Sequence, residues 1–181
     1  MDTNKAKVRL ATVWLDGCSG CHMSFLDIDG ALLDLADQID LVYSPLVDLK
    51  KFPAEVDVTL IEGAISSDED LEKIKHVRAH TKLLVALGDC SVTGNVPAMR
   101  NTFAVNEVME RAYLDETLTH PQIPSLVVPN LLPTVRPIHT AVKVDLFVPG
   151  CPPHASTILY ALTELLQGRM PDLIAKTRFG A

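Results

Sequence analysis

The distribution of apolar residues divides the chain into alternating extended and helical segments. Residues 7–15, KVRLATVWL, are almost continuously apolar through Val8, Leu10, Ala11, Val13, Trp14 and Leu15. That pattern predicts a first strand covered on both faces. Over residues 22–38 the apolar positions change period. Phe25, Ile28, Leu32, Leu35 and Ala36 recur at helical spacing and predict one helix. QIDLVYSP reads as a second strand ended by Pro45, and EVDVTLIEGAI as a third ended near Gly63.

SSDEDLEKIKHVRAH, residues 66–80, carries acids at its start and bases at its end, with Ser66 or Ser67 available as a cap. That charge order matches a helix dipole. TKLLVALGDC predicts a fourth strand running into a loop, residues 103–115 a helix, VKVDLFVPGC a fifth strand, and 153–168 a helix with Ile158, Leu162, Leu165 and Leu166 facing inward. Strands alternating with helices indicate one doubly wound α/β domain over residues 1–181, with a mainly parallel sheet. Residues 116–142 interrupt the alternation. Pro121, Pro124, Pro129, Pro133 and Pro137 exclude a long helix or a central strand there. The Leu and Val residues among them point either to packing over the sheet edge or to docking on a partner.

Composition narrows the function classes. With 181 residues and 48% apolar content, the chain can bury a core without disulfides. A net charge of −7 and the lack of a basic cluster argue against nucleic-acid binding, which relies on Lys and Arg at phosphates. The N-terminal MDTNKAKVRLATVWL has neither a signal-peptide core nor a twin-arginine pair, and no apolar run is long enough to span a membrane. The expected compartment is therefore the cytoplasm, where thiols remain reduced and cysteines more often bind metal or do redox work.

There are four cysteines: Cys18, Cys21, Cys90 and Cys151. Each group follows a predicted strand end, and in a parallel sheet the carboxyl ends of the strands share one edge, where ligands bind. Three distant segments thus converge four thiols on one site. The local pattern C-x-x-C-H at residues 18–22 also fits a redox pair, half of a zinc site or a haem attachment. A redox pair or a haem leaves Cys90 and Cys151 without a role. Structural four-cysteine zinc sites favour two close knuckles and small modules. Four unrelated core cysteines would not share this glycine-rich setting. A 4Fe–4S cluster uses all four thiolates. His22 and His154, beside the thiols, are candidates for tuning the cluster's surroundings rather than for ligation.

WLDGCSGCHMSFLDID, LIEGAI, LVALGDCSVTGNVPAMRN and VPGCPP together resemble the small subunit of nickel–iron hydrogenases, and more closely that of the bidirectional NAD-reducing type, over residues 8–168. The resemblance implies a flavodoxin-like fold, one proximal 4Fe–4S cluster on Cys18, Cys21, Cys90 and Cys151, and pairing with a nickel–iron large subunit. It also implies transfer of electrons to a flavin- and iron–sulfur-containing diaphorase, for the reaction H2 + NAD+ = NADH + H+. No catalytic residue falls on this chain. Glu62, in IEGAI, matches a recurring acidic position and is a candidate proton relay or interface group. FMN would suit the fold, although no phosphate-cradling motif supports it. The chain departs from periplasmic small subunits in lacking a leader and further cysteines, and from the quinone-reducing respiratory subunit in lacking an adjacent Cys-Cys pair. The respiratory complex and a zinc-stabilised interaction module stand as the alternatives.

Overall fold

The computed structural model describes residues 6–115 and 119–177. The part of the proline-rich connection at 116–118 and the ends of the chain lie outside the described residues. In chain order the elements are β1 (Val8–Trp14), α1 (Gly20–Leu26), α2 (Gly30–Asp34), β2 (Ile39–Tyr43), β3 (Val56–Glu62), β4 (Ile65–Ser67), α3 (Asp68–Ala79), β5 (Thr81–Leu87), α4 (Asp89–Thr93), α5 (Val105–Tyr113), β6 (Leu131–Arg136), β7 (Leu146–Val148) and α6 (Ala155–Leu166). Five strands form a parallel sheet in the order β2-β1-β3-β5-β7. This is the flavodoxin-like winding, whose order reverses between β1 and β3 and opens a crevice at their carboxyl ends.

The two-residue period sends alternate side chains to two cores. Val58 and Leu60 of β3 and Val85 and Leu87 of β5 pack with Phe25, Ile158 and Leu162 on the α1/α6 face. Ile61, Leu84 and Ala86 pack with Ile74 and Val77 of α3 on the other. Burial on both faces explains why these strands read as continuous apolar runs.

Three expectations are corrected. The predicted helix over 22–38 is two short ones, because Asp29 takes φ 54° before Gly30 and the backbone turns there. Asp and Gly are the residues that tolerate such a turn. The loop expected at Cys90 is instead the short helix α4, which contains it. The fifth strand is only three residues long. Within the proline-rich segment, Leu131–Arg136 forms an antiparallel pair with β4, outside the main sheet. This edge position tolerates Pro133. Leu126, Val127 and Val128 ahead of it stay exposed. Ser67, one of the two candidate caps, starts α3 through a capping box with Asp70.

At the amino edge of the sheet, Arg78 ties α3 to two strands. It donates to Asp145 Oδ2 at 2.6 Å, to the Lys82 carbonyl at 3.0 Å and to the Thr81 carbonyl. Burial alone would raise the Asp145 carboxyl, but the Leu84 N–H and Arg78 outweigh it and hold it below the usual range. Arg78→Ala is expected to cost about 2 kcal/mol, read as a lower denaturant midpoint. The Asp145 contribution is present above the unfolded carboxyl value of about 3.9 and is lost as pH falls through its lower folded value.

Candidate iron–sulfur site

All four cysteines lie at the carboxyl edge of the sheet. Cys18 is in the loop after β1, and Cys21 is the second residue of α1. Cys90 lies in α4 after β5, and Cys151 in the loop after β7. Cys21 and Cys90 are buried, whereas Cys18 and Cys151 are exposed. The C-x-x-C pair thus straddles a helix start, with one thiol beneath the surface and one upon it.

Side chains and backbone bind the three segments together. Asp89 Oδ1 accepts the Gly150 N–H at 2.7 Å, and the Asp89 N–H donates to the Gly150 carbonyl at 2.8 Å. These bonds fix the Cys90 turn against the Cys151 loop. Ser24 Oγ donates to the Pro153 carbonyl at 2.5 Å, tying α1 to the loop before α6. Gly88 has φ +84°, and a Cβ placed there would come 2.1 Å from Cys21 Sγ. The cradle therefore has a floor that only glycine can form.

Hydrogen-bond donors point at sulfur. Asn95 Nδ2 donates to Cys151 Sγ at 3.4 Å, and the Val96 N–H bonds Cys90. Burial pushes the Cys21 thiol strongly up, and Glu62, Cys90, Cys18 and Cys151 add to it in that order. Burial also raises Cys90, partly offset by the Val96 N–H, with further increments from Cys151, Cys18 and Glu62. A metal centre bound there would supply the positive charge that deprotonates its thiol ligands. Among the described residues, no three His, Cys, Asp or Glu side chains are grouped to hold a single metal ion.

The candidates outside the cysteines separate. His22 is buried at 2% exposure, its ring edge-on to Trp14. Its N–H donates to Glu62 Oε2 at 2.8 Å. Its Nδ1 lies 2.9 Å from the same oxygen without the alignment of a hydrogen bond. Glu62, the last residue of β3, is buried beside the thiols. His154 is exposed and caps α6, its Nδ1 accepting from the Ser156 N–H. It lines a cavity of about 750 Å³ with Gly20, Met23, Cys151, Thr157 and Lys176. Asn95 and Asp89 are not legible as site residues in the sequence. Their partners lie 56 and 61 positions away, and only the fold brings them together.

Comparison with known proteins places these features in a family. The family described as NADH ubiquinone oxidoreductase, 20 Kd subunit, matches residues 18–165. The chain is 38% identical over 174 residues to NAD-reducing hydrogenase HoxS subunit delta of Cupriavidus necator, covering 93% of this chain and 83% of that one. It is 37% identical over 171 residues to a subunit of the F420-non-reducing hydrogenase vhu of Methanocaldococcus jannaschii, covering 93% of this chain but only 59% of that protein. A chain in the crystal structure of an NAD+-reducing [NiFe]-hydrogenase in the H2-reduced state superposes with a TM-score of 0.91 at 41% identity, over 96% of this chain and 99% of that one. The chain therefore belongs to the NADH ubiquinone oxidoreductase, 20 Kd subunit, family, and within it is a relative of the NAD-reducing hydrogenase delta subunit.

Proposed function

We propose that this protein is the small, electron-transferring subunit of a nickel–iron hydrogenase, with one 4Fe–4S cluster held by Cys18, Cys21, Cys90 and Cys151. The observation that carries the reading is the convergence of four thiols from three segments on one sheet edge, over a floor where a Cβ at Gly88 would strike Cys21. A cluster of this kind accepts and releases single electrons. The chain's part is to hold it, to donate hydrogen bonds to its sulfur ligands from Asn95 and Val96, and to shield two of the four thiolates from water. Such bonds and burial are levers on a cluster's potential. A zinc module needs four donors about 2.3 Å from one ion, whereas a cubane spreads its thiolates over four irons and suits a wider cradle.

The partners follow from the same reading. A nickel–iron large subunit activates dihydrogen, and a diaphorase with flavin and iron–sulfur centres passes electrons on to NAD. Exposed apolar side chains beside the thiols support docking there: Met23 lines a cavity with Cys151, and Val96, whose N–H bonds Cys90, is also exposed. Among the described residues no helix is long and apolar enough to cross a membrane, and we assign the protein to the cytoplasm. The residues around the sheet edge supply no phosphate-specific motif, so FMN has no assigned place. The family description also covers a respiratory reading, but the relative similar over most of both chains is a hydrogenase subunit.

Anaerobic purification of the chain with its co-expressed neighbours tests the proposal. The expected result is a co-purifying nickel-containing subunit, and iron and acid-labile sulfide that exceed those of the same complex carrying Cys21→Ser and Cys90→Ser by about four each. Zinc without sulfide would overturn the cluster, and iron with a quinone-reducing partner in place of a nickel protein would overturn the hydrogenase assignment.

A further inference from the structure

We propose that Glu62 is the positioning residue for Cys21: from the end of β3, its buried carboxylate caps the helix turn that carries this thiol. The proposal rests on the reading of Cys21 as a cluster ligand. The first turn of a helix has backbone N–H groups without helical partners, and a side chain at the preceding position usually accepts one from the second or third residue. In α1 that preceding residue is Ser19, held at φ 65°, and its side chain makes no capping bond among the described residues. The N–H of His22, third in the helix, is instead taken by Glu62 Oε2 at 2.8 Å, from a strand 40 positions away. A buried N–H left without an acceptor is costly, so this bond decides whether the turn holds its shape.

The carboxylate is itself held by rigid backbone. Glu62 pairs with Trp14 in the sheet, and its carbonyl accepts the Leu15 N–H at 3.0 Å. Asp16 and Ala64 then exchange two bonds, at 3.1 and 2.6 Å. Gly63 makes this approach possible: it has φ +87°, and a Cβ there would come 2.7 Å from the Leu15 and Asp16 backbone. The end of β3 is thereby clamped to the segment that leads into Cys18 and Cys21, and Glu62 joins that clamp to the far side of the cysteine loop. His22 Nδ1 lies 2.9 Å from the same oxygen without hydrogen-bond alignment, so the backbone N–H is the bond that Glu62 makes to this turn.

Two variants test the assignment. Glu62→Gln keeps an oxygen that accepts the His22 N–H, and Glu62→Leu removes it. In the complex purified without oxygen, Glu62→Leu is expected to lose about four irons and four sulfides relative to wild type, while Glu62→Gln retains them and the electron paramagnetic resonance spectrum of the reduced cluster. In the iron-free full chain, mass-resolved alkylation of each thiol gives a readout independent of the cluster. Both variants remove the negative charge that raises Cys21 and Cys90, so the two are compared with each other: Glu62→Leu is expected to alkylate at Cys21 about tenfold or more faster than Glu62→Gln, as expected for loss of one hydrogen bond to the His22 N–H, with Cys90 equal in the two. Full iron loading in Glu62→Leu, or equal loss in both variants, overturns the proposal. So does joint exposure of Cys90 with Cys21, since Glu62 would then support the fold rather than this turn. A wild-type complex whose iron and sulfide equal those of the Cys21→Ser complex instead sinks the cluster reading, and the alkylation result still decides the positioning role.

Discussion

Serine in place of any one of Cys18, Cys21, Cys90 or Cys151 is expected to lower bound iron and acid-labile sulfide in the anaerobically purified complex by up to about four each relative to the wild-type complex, the partner subunits keeping their own metal. All four positions count because each thiolate takes one corner of the cluster. The two buried positions, Cys21 and Cys90, are expected to lose the most, since hydroxyl oxygens enclosed there are poor substitutes for thiolates. Cys18 and Cys151 are exposed, where water can complete the coordination of an iron, and partial, air-sensitive loading is expected. A thiol oxidoreductase gives another pattern: only Cys18→Ser and Cys21→Ser abolish its activity, and Cys90→Ser and Cys151→Ser do not. Normal iron in either Cys90→Ser or Cys151→Ser would sink the four-thiolate reading.

Gly88→Ala is expected to be nearly as damaging, although it removes no ligand. The backbone there has φ +84° and ψ 161°, a region essentially confined to glycine. An alanine costs on the order of 1–3 kcal/mol in backbone strain alone. The larger effect is local, since the added methyl would lie 2.1 Å from Cys21 Sγ and must displace it. Iron content should fall sharply, while thermal unfolding of the iron-free chain shifts by only a few degrees. Gly30→Ala is the control, because a Cβ at Gly30 meets nothing within 4 Å. Equal iron in Gly88→Ala and Gly30→Ala would show that the thiol is not held where the cradle requires it.

Much of the architecture is legible in the order of residues alone. The continuous apolar runs of β1, β3 and β5 announce strands covered on both faces, and the sheet buries them so. The amphipathic period of residues 153–168 announces α6, with Ile158 and Leu162 in the core. The strand-end placement of the cysteines is also readable, because a parallel sheet sends all its carboxyl ends to one edge. Less legible is the break between α1 and α2. Phe25, Ile28 and Leu35 keep helical spacing through it and are all buried, so periodicity alone does not reveal the turn at Asp29. The small β4–β6 pair is equally hidden, since its partners are more than sixty residues apart and one contains a proline.

The sequence by itself determined the alternation of strands and helices, the mainly parallel sheet, the inward face of α6 and the position of four cysteines at strand ends. These follow from short-range periodicity and from residue types that only certain backbone positions accept. Tertiary structure alone decided which thiols are buried, that Asn95 and Val96 donate to sulfur, and that Asp89 ties two cysteine loops together. It also decided that Glu62 reaches the amide of His22. The physical reason is the same in each case. A hydrogen bond needs two groups within about 3 Å, and for partners 40 to 61 positions apart that distance is set by the packing of whole strands and helices, which leaves no mark on the local pattern of residues.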